Sequence, residues 1–348
     1  MQATREKSPP MRIALRKSRW IVLSCLVALA FAPAVRAQAS AQPPNQASAD
    51  AAGFTPDVQL LPAARRGMFE LLNGDPDGAL RIFERMRHDD PGSPLGYLLG
   101  ADATWWKIYL TTGNLIDPDV FDVVSKATSP YDAGFQTLVE EAIHRAESRV
   151  HAKQDLARSL LDEGMAYGLL ARFYGLRDND LPTARAGKKM RALLLHALQL
   201  DPSLTDAYLG VGIYNYFVDT LPTIVKMLKF LIGLPGGSRE VGLQQLELAA
   251  NKADLVRGEA KFYLAKDFSR GNERQYARSL QLFHQLAAEY PGNPLWTLVE
   301  GSLEIRLGHR EAGRGLYGQA VEKSATQNTD VGRALHTQAQ QALSRLGS

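Results

Sequence analysis

The side chains best suited to chemistry lie on a few short stretches. Glu141, His144, Glu147 and His151 recur at spacings of three, three and four, which puts them on one face of a helix. Glu-x-x-His is half of the ligand set of a di-iron carboxylate site, and the sequence has no second motif to complete it. The row therefore reads as a solvated, ion-paired face. Gly313-Arg314-Gly315-Leu316-Tyr317-Gly318 spells the glycine pattern that cradles a dinucleotide pyrophosphate. That pattern works only where a strand turns into a helix, and the residues before it, Leu303 to Leu307, are helical in pattern. No His-Glu-x-x-His, phosphate-loop or Gly-x-Ser-x-Gly motif occurs. The expectation is a protein without catalysis, cofactor or metal.

Aromatic side chains offer a different chemistry, that of recognition. Trp105, Trp106 and Tyr109 crowd one helix, where Trp106 and Tyr109 share a face and Trp105 points away from it. Tyr214 and Tyr216 point to different faces of a second helix. Packing accounts for most such rings, but one or more left exposed would anchor a partner. These five residues are the expected partner-binding set. Leu221 to Ile232 is amphipathic, with Ile224, Met227, Leu228 and Leu231 on one stripe and Lys226 and Lys229 opposite. It reads first as a packed helix of the array, with peripheral membrane contact or a partner groove as the alternative. Gly164, Gly168 and Ala171 form a small-residue stripe that close helix packing explains. Ser238 reads as an N-cap rather than as part of an anion site.

The elements that hold these residues are helices in pairs. Ala79, Leu80, Phe83 and Met86 form one apolar face, followed by Pro91; Ser279, Leu280, Phe283 and Leu286 repeat it, followed by Pro291. Gly67 supplies a small residue in the first helix of its unit. Pro202, Tyr208 and Gly212 fit another unit, and Gly301, Gly313, Tyr317 and Ala320 the last clear one. A helix–turn–helix unit of about 34 residues is the tetratricopeptide pattern. Small residues let paired helices approach, and prolines set the turns. The expected fold is an all-α, tetratricopeptide-like α-solenoid of antiparallel helix pairs over residues 58–348. The stretches 113–131 and 217–238 break the period and read as inserted helices or loops.

One region carries a more specific likeness. Gly210-Val211-Gly212-Ile213-Tyr214-Asn215-Tyr216 precedes an apolar helix and a Leu234-Pro235-Gly236-Gly237 turn. In this it resembles a group of bacterial exported tetratricopeptide proteins. The likeness runs from about Gly67 to Gly308 and includes the Trp105-Trp106 pair and the Tyr290-Pro291-Gly292-Asn293-Pro294 turn. A eukaryotic tetratricopeptide family tied to mitochondrial outer membranes and lipid-linked clearance is more distantly similar. The resemblance implies a repeat fold and brings no activity with it. Ser238 stands where the group often has an acidic residue, so a carboxylate at that turn is not essential.

The N-terminal segment points to a compartment, and the charge balance argues against some partners. Arg12, Arg16, Lys17 and Arg19 precede the apolar stretch Trp20 to Ala34, and Val35-Arg36-Ala37 ends it with small residues. This reads as a secretory signal with cleavage expected before Gln38, and 38–57 as a disordered linker rich in Ala, Gln, Ser and Pro. An uncleaved anchor and a lipoprotein attached through Cys25 remain alternatives. Cys25 is the single cysteine, so the processed chain would carry no thiol or disulfide. Residues 1–37 hold seven basic side chains and one acid of the chain's 40 and 37; the remainder has a formal charge of −3. That balance gives no footprint for nucleic acid. The expected function is a periplasmic or secreted, non-catalytic scaffold that binds a protein or peptide on its concave surface. The alternative is a carrier or sensor of a small or lipidic ligand in a helical cavity.

Overall fold

Proline, glycine and capping side chains place the helix ends. The computed structural model describes residues 57–113, 115, 125–221 and 233–347. The chain divides into two units, Met1–Ala52 and Gly53–Ser348, and everything below concerns the second. The signal segment 1–37, nearly all of the linker 38–57, the middle of the first irregular stretch and the amphipathic residues 222–232 lie outside the described residues.

Thirteen α-helices occur among the described residues, with no strand. They are α1 Leu61–Leu72, α2 Pro76–Asp89, α3 Leu95–Thr112, α4 Asp132–His151, α5 Leu156–Leu176, α6 Asp180–Leu200 and α7 Ala207–Thr220. There follow α8 Arg239–Lys252, α9 Arg257–Ser269, α10 Tyr276–Glu289, α11 Pro294–Arg306, α12 Arg310–Ala325 and α13 Asp330–Gly347. Gly74 takes φ +95°, a left-handed conformation that glycine adopts freely, and so ends α1. Asp75 then caps α2, its carboxylate accepting from Gly78 N at 2.8 Å, with Pro76 at the first helical position. Ser238 caps α8 by accepting from Val241 N at 3.3 Å, as its type and position predict.

Neighbouring helices pack in series, an α-solenoid of helix pairs. The odd-numbered helices form an inner layer: α1 touches α3, α3 touches α5, α5 touches α7, α7 touches α9 and α11 touches α13. Even-numbered helices cover them outside. The small residues act as expected. Phe83 of α2 lies where a Cβ on Gly67 of α1 would sit, 2.2 Å away. Leu194 and Met190 of α6 fill the space left by Gly164 and Gly168 of α5 and by Gly210 of α7. Gly212 and Gly242 bring α7 and α8 together almost backbone to backbone. α7 runs through Phe217 to Thr220, so the second irregular stretch begins only after that residue.

The inner layer curls until its ends meet. The α1–α2 turn lies on the α10–α11 turn: Asn293 Nδ2 and Trp296 Nε1 both donate to Leu72 O at 3.0 Å, and Gly292 N donates to Asn73 Oδ1 at 2.8 Å. This satisfies a carbonyl that the end of α1 leaves free. α13 packs on α3, and Leu115 N donates to Gln338 at 2.8 Å. As a result α9 is buried all round from Gly258 to Ser269, and α11 from Pro294 to Leu303.

Candidate functional site

The five aromatic residues separate into three places, and all are buried. Trp105 does not point away from Tyr109 but stacks on it with ring centroids 5.1 Å apart, as residues four apart on a helix can, and Trp106 meets Phe262 of α9 at 5.1 Å and Trp296 of α11 at 6.2 Å. Tyr214 donates to Pro235 O at 2.9 Å and so fixes the turn before α8. Tyr216 is fully enclosed and accepts from Asn272 Nδ2 at 3.4 Å. The expectation that one ring faces an open groove is therefore corrected. The closed inner layer sets Trp106 against the opposite limb, and its neighbours Trp105 and Tyr109 are enclosed with it.

The other motifs are structural in place. Gly313 and Tyr317 lie on α12 and pack against Gly301 of α11, whereas a Cβ on Gly315 or Gly318 would meet nothing; the pattern lies within a helix and does not follow a strand. On α4, Glu141 pairs with Arg145, and Glu147 accepts from Lys189 at 2.9 Å. His144 and His151 are exposed. Among the described residues no three His, Cys, Asp or Glu side chains converge to hold a metal ion.

Chemistry of a different kind gathers where α3, α5 and the start of α9 meet. On α5, Arg158, Leu161, Asp162, Met165, Leu169 and Arg172 share one stripe by helical spacing, and Leu95, Leu98, Leu99 and Asp102 do so on α3. With Asp206, Leu255, Val256 and Glu259 they line a recess of about 30 Å³. Arg158 and Met165 are half-buried and mark its mouth; the Arg172 side chain, 12% exposed, and the four carboxyl groups lie deeper.

Three of these carboxyls are engaged. Glu259 Oε1 accepts from Arg172 Nη1 at 3.0 Å and from Trp106 Nε1 at 3.1 Å. Arg172 also donates to Tyr263 OH at 3.2 Å and to Asp102 at 3.5 Å, and lies 4.7 Å over the Trp105 ring. Burial pushes the Asp102 carboxyl well above the usual range, and Glu259 adds to this by repulsion and by accepting its proton. Burial alone would lower the Arg172 guanidinium, but Tyr263, Glu259 and Asp102 more than offset that and hold it firmly charged. Asp206 accepts from Leu255 N at 2.8 Å and Val256 N at 3.0 Å, capping the entrance to α9.

Asp162 differs. It is 2% exposed, and no donor reaches its Oδ2. Burial first, and Asp57 second, raise its titration well above the carboxylate range. Leaving such an oxygen unpaired costs about 1–3 kcal/mol. Arg158, one turn before it on α5, lowers that shift by its charge but makes neither a hydrogen bond nor an ion pair among the described residues.

Sequence reasoning missed this cluster. Its signal was present: Asp102 interrupts the apolar stripe that includes Leu98 and Leu99, and Asp162 follows Leu160-Leu161 directly. A charge on the face a helix buries needs a partner or a purpose. No protein-family model matches the chain, and no curated protein matches it in sequence.

Proposed function

We propose that this chain is an exported repeat protein of the tetratricopeptide type that binds a small ligand in the recess between α3, α5 and α9, without transforming it. The observation that carries this reading is Asp162, an enclosed carboxyl without a donor, lining a recess whose mouth holds a free guanidinium, Arg158. The sequence features of a signal segment support export. Against chemistry stands the lining itself, which has no Ser, Cys, His or Lys. Paired-carboxylate hydrolysis needs two free carboxyl groups, and here Asp102 and Glu259 hold each other and Arg172.

The carrier reading is preferred to a peptide scaffold on the concave face. That face is occupied by side chains of the opposite limb, with Trp106 against Phe262 and Trp296. The test uses the chain from Gln38 onward in thermal-shift and calorimetric titrations against small anionic, neutral and cationic compounds. One class should raise the unfolding temperature saturably, and Met165→Trp, which fills the mouth, should abolish the effect. Indifference to every class would overturn the reading. Capture of an envelope protein that still binds the Met165→Trp variant would favour the scaffold.

A further inference from the structure

Behind the free Arg158 at its mouth, the recess is short of hydrogen-bond donors, not of acceptors. Its lining offers four carboxyl groups against two guanidinium groups. Arg172 is already shared among Glu259, Asp102 and Tyr263. Asp206 is supplied by two backbone amides. Glu259 Oε2 receives no N–H, and its partner Asp102 can give it one proton. Asp162 alone has nothing. A buried acceptor of this kind is satisfied by a ligand that carries N–H groups, and most strongly by one that is also positive.

Resting on the small-ligand reading above, we infer that the recess takes a primary alkylammonium ion, with Asp162 receiving the ammonium head. Its size fits: about 30 Å³ admits one small polar head. The walls fit too, since Leu95, Leu98, Leu161, Leu169 and Val256 line the same space with aliphatic surface, against which the carbon next to the ammonium head would lie while any longer tail extends outward. Guanidinium and quaternary heads are disfavoured, the first by bulk and the second because it has no N–H for Asp162. An anion would meet Arg158 at the mouth but no donor deeper in.

Proton linkage gives the inference a signature. The charged groups acting on Asp162 are Asp57 from the segment before α1, Arg149 from α4, Arg158 from its own helix and Asp155 just before that helix. Across the recess lie Asp102, Asp206, Glu259 and Arg172. In the free protein, burial keeps a proton on Asp162 to higher pH than an ordinary carboxyl. An ammonium head favours the ionised form, so binding releases a proton and strengthens as the pH rises.

The experiment is calorimetric titration of the processed chain with methylammonium, n-butylammonium and a capped lysine amide, beside butyrate and n-butanol as controls. Repetition in buffers of different ionisation enthalpy counts protons released. At least one ammonium compound should bind, more tightly as the pH rises above the ordinary carboxylate range, with proton release. Tight binding of the lysine amide would identify a lysine side chain as the source, and of butylammonium alone a free amine; either supports the inference. Asp162→Asn should weaken binding about tenfold or more. Asp162→Leu, expected to fold at least as stably, should remove it. Equal ammonium binding by both variants overturns the assignment to Asp162. Binding of butyrate or butanol but no ammonium overturns the ligand class and leaves the recess as a site. If no compound binds and both variants are merely more stable, the inference and the small-ligand reading fall together.

Discussion

Arg172 on α5 and Glu259 on α9 lie 87 residues apart in sequence and 3.0 Å apart in the fold. Their ion pair joins two inner helices that are not neighbours in the chain. Because both groups are buried, the pair is weak support for net stability yet costly to break on one side. Arg172→Met should destabilise the protein by ~3–5 kcal/mol, since it strands Glu259 beside Asp102. Adding Glu259→Gln should recover a large part of that loss. Urea unfolding of both variants measures it, and strictly additive losses would show that the two residues do not act as a unit.

Stability should also depend on pH in an unusual direction. Asp102 and Asp162 are both raised by burial, so the folded chain binds more protons than the unfolded chain over the interval between their two states. Their contribution is full below the ordinary carboxylate range, about pH 4, and is lost as pH rises through the raised values. The unfolding temperature should fall as the pH rises above the ordinary carboxylate range, and Asp162→Asn should flatten part of that slope. A slope unchanged in the variant would remove Asp162 as its source.

The aromatic residues should report on stability before anything else. Trp106→Ala should cost ~3–5 kcal/mol, and Tyr216→Ala a similar amount, because each leaves a cavity. Tyr214→Phe should cost only ~1 kcal/mol, the worth of its bond to Pro235 O. Denaturant midpoints separate the cases. A Trp106→Ala chain as stable as its parent would mean that the ring is not packed as described.

Export is checked at the terminus. The envelope form of the protein should begin at or near Gln38 when sequenced from its N-terminus. Retention of Trp20 to Ala34 would make it a membrane-anchored protein. Among the described residues no helix is long and apolar enough to cross a membrane.

Much of the fold was legible because repeat packing is local. Gly67 against Phe83, and Pro91 and Pro291 at their turns, follow from spacing alone. The buried site was not legible, for a physical reason. Arg172, Asp102 and Glu259 come together only because the inner layer curls closed, and nothing in a helical period records how tightly an array curves. The same ignorance made Trp105 and Trp106 look available to a partner. Burial of Asp102 was readable from its apolar face, but its partner, 157 residues on, was not.

The meeting of α13 with α3 changes what kind of folding unit this is. In an open repeat array each unit leans only on its neighbours, so terminal units fray and shortened versions still fold. Here Leu115 N reaches Gln338 across 223 residues, and Tyr131 OH reaches Asp330 across 199. Such contacts require a very large loop to close before they return any energy, which slows folding. Removing the last helix would uncover the flank of the third rather than the end of a stack. The protein should therefore unfold in a single transition, without shedding repeats from either end. A growing chain could not bury the inner face of its third helix fully until its last had emerged.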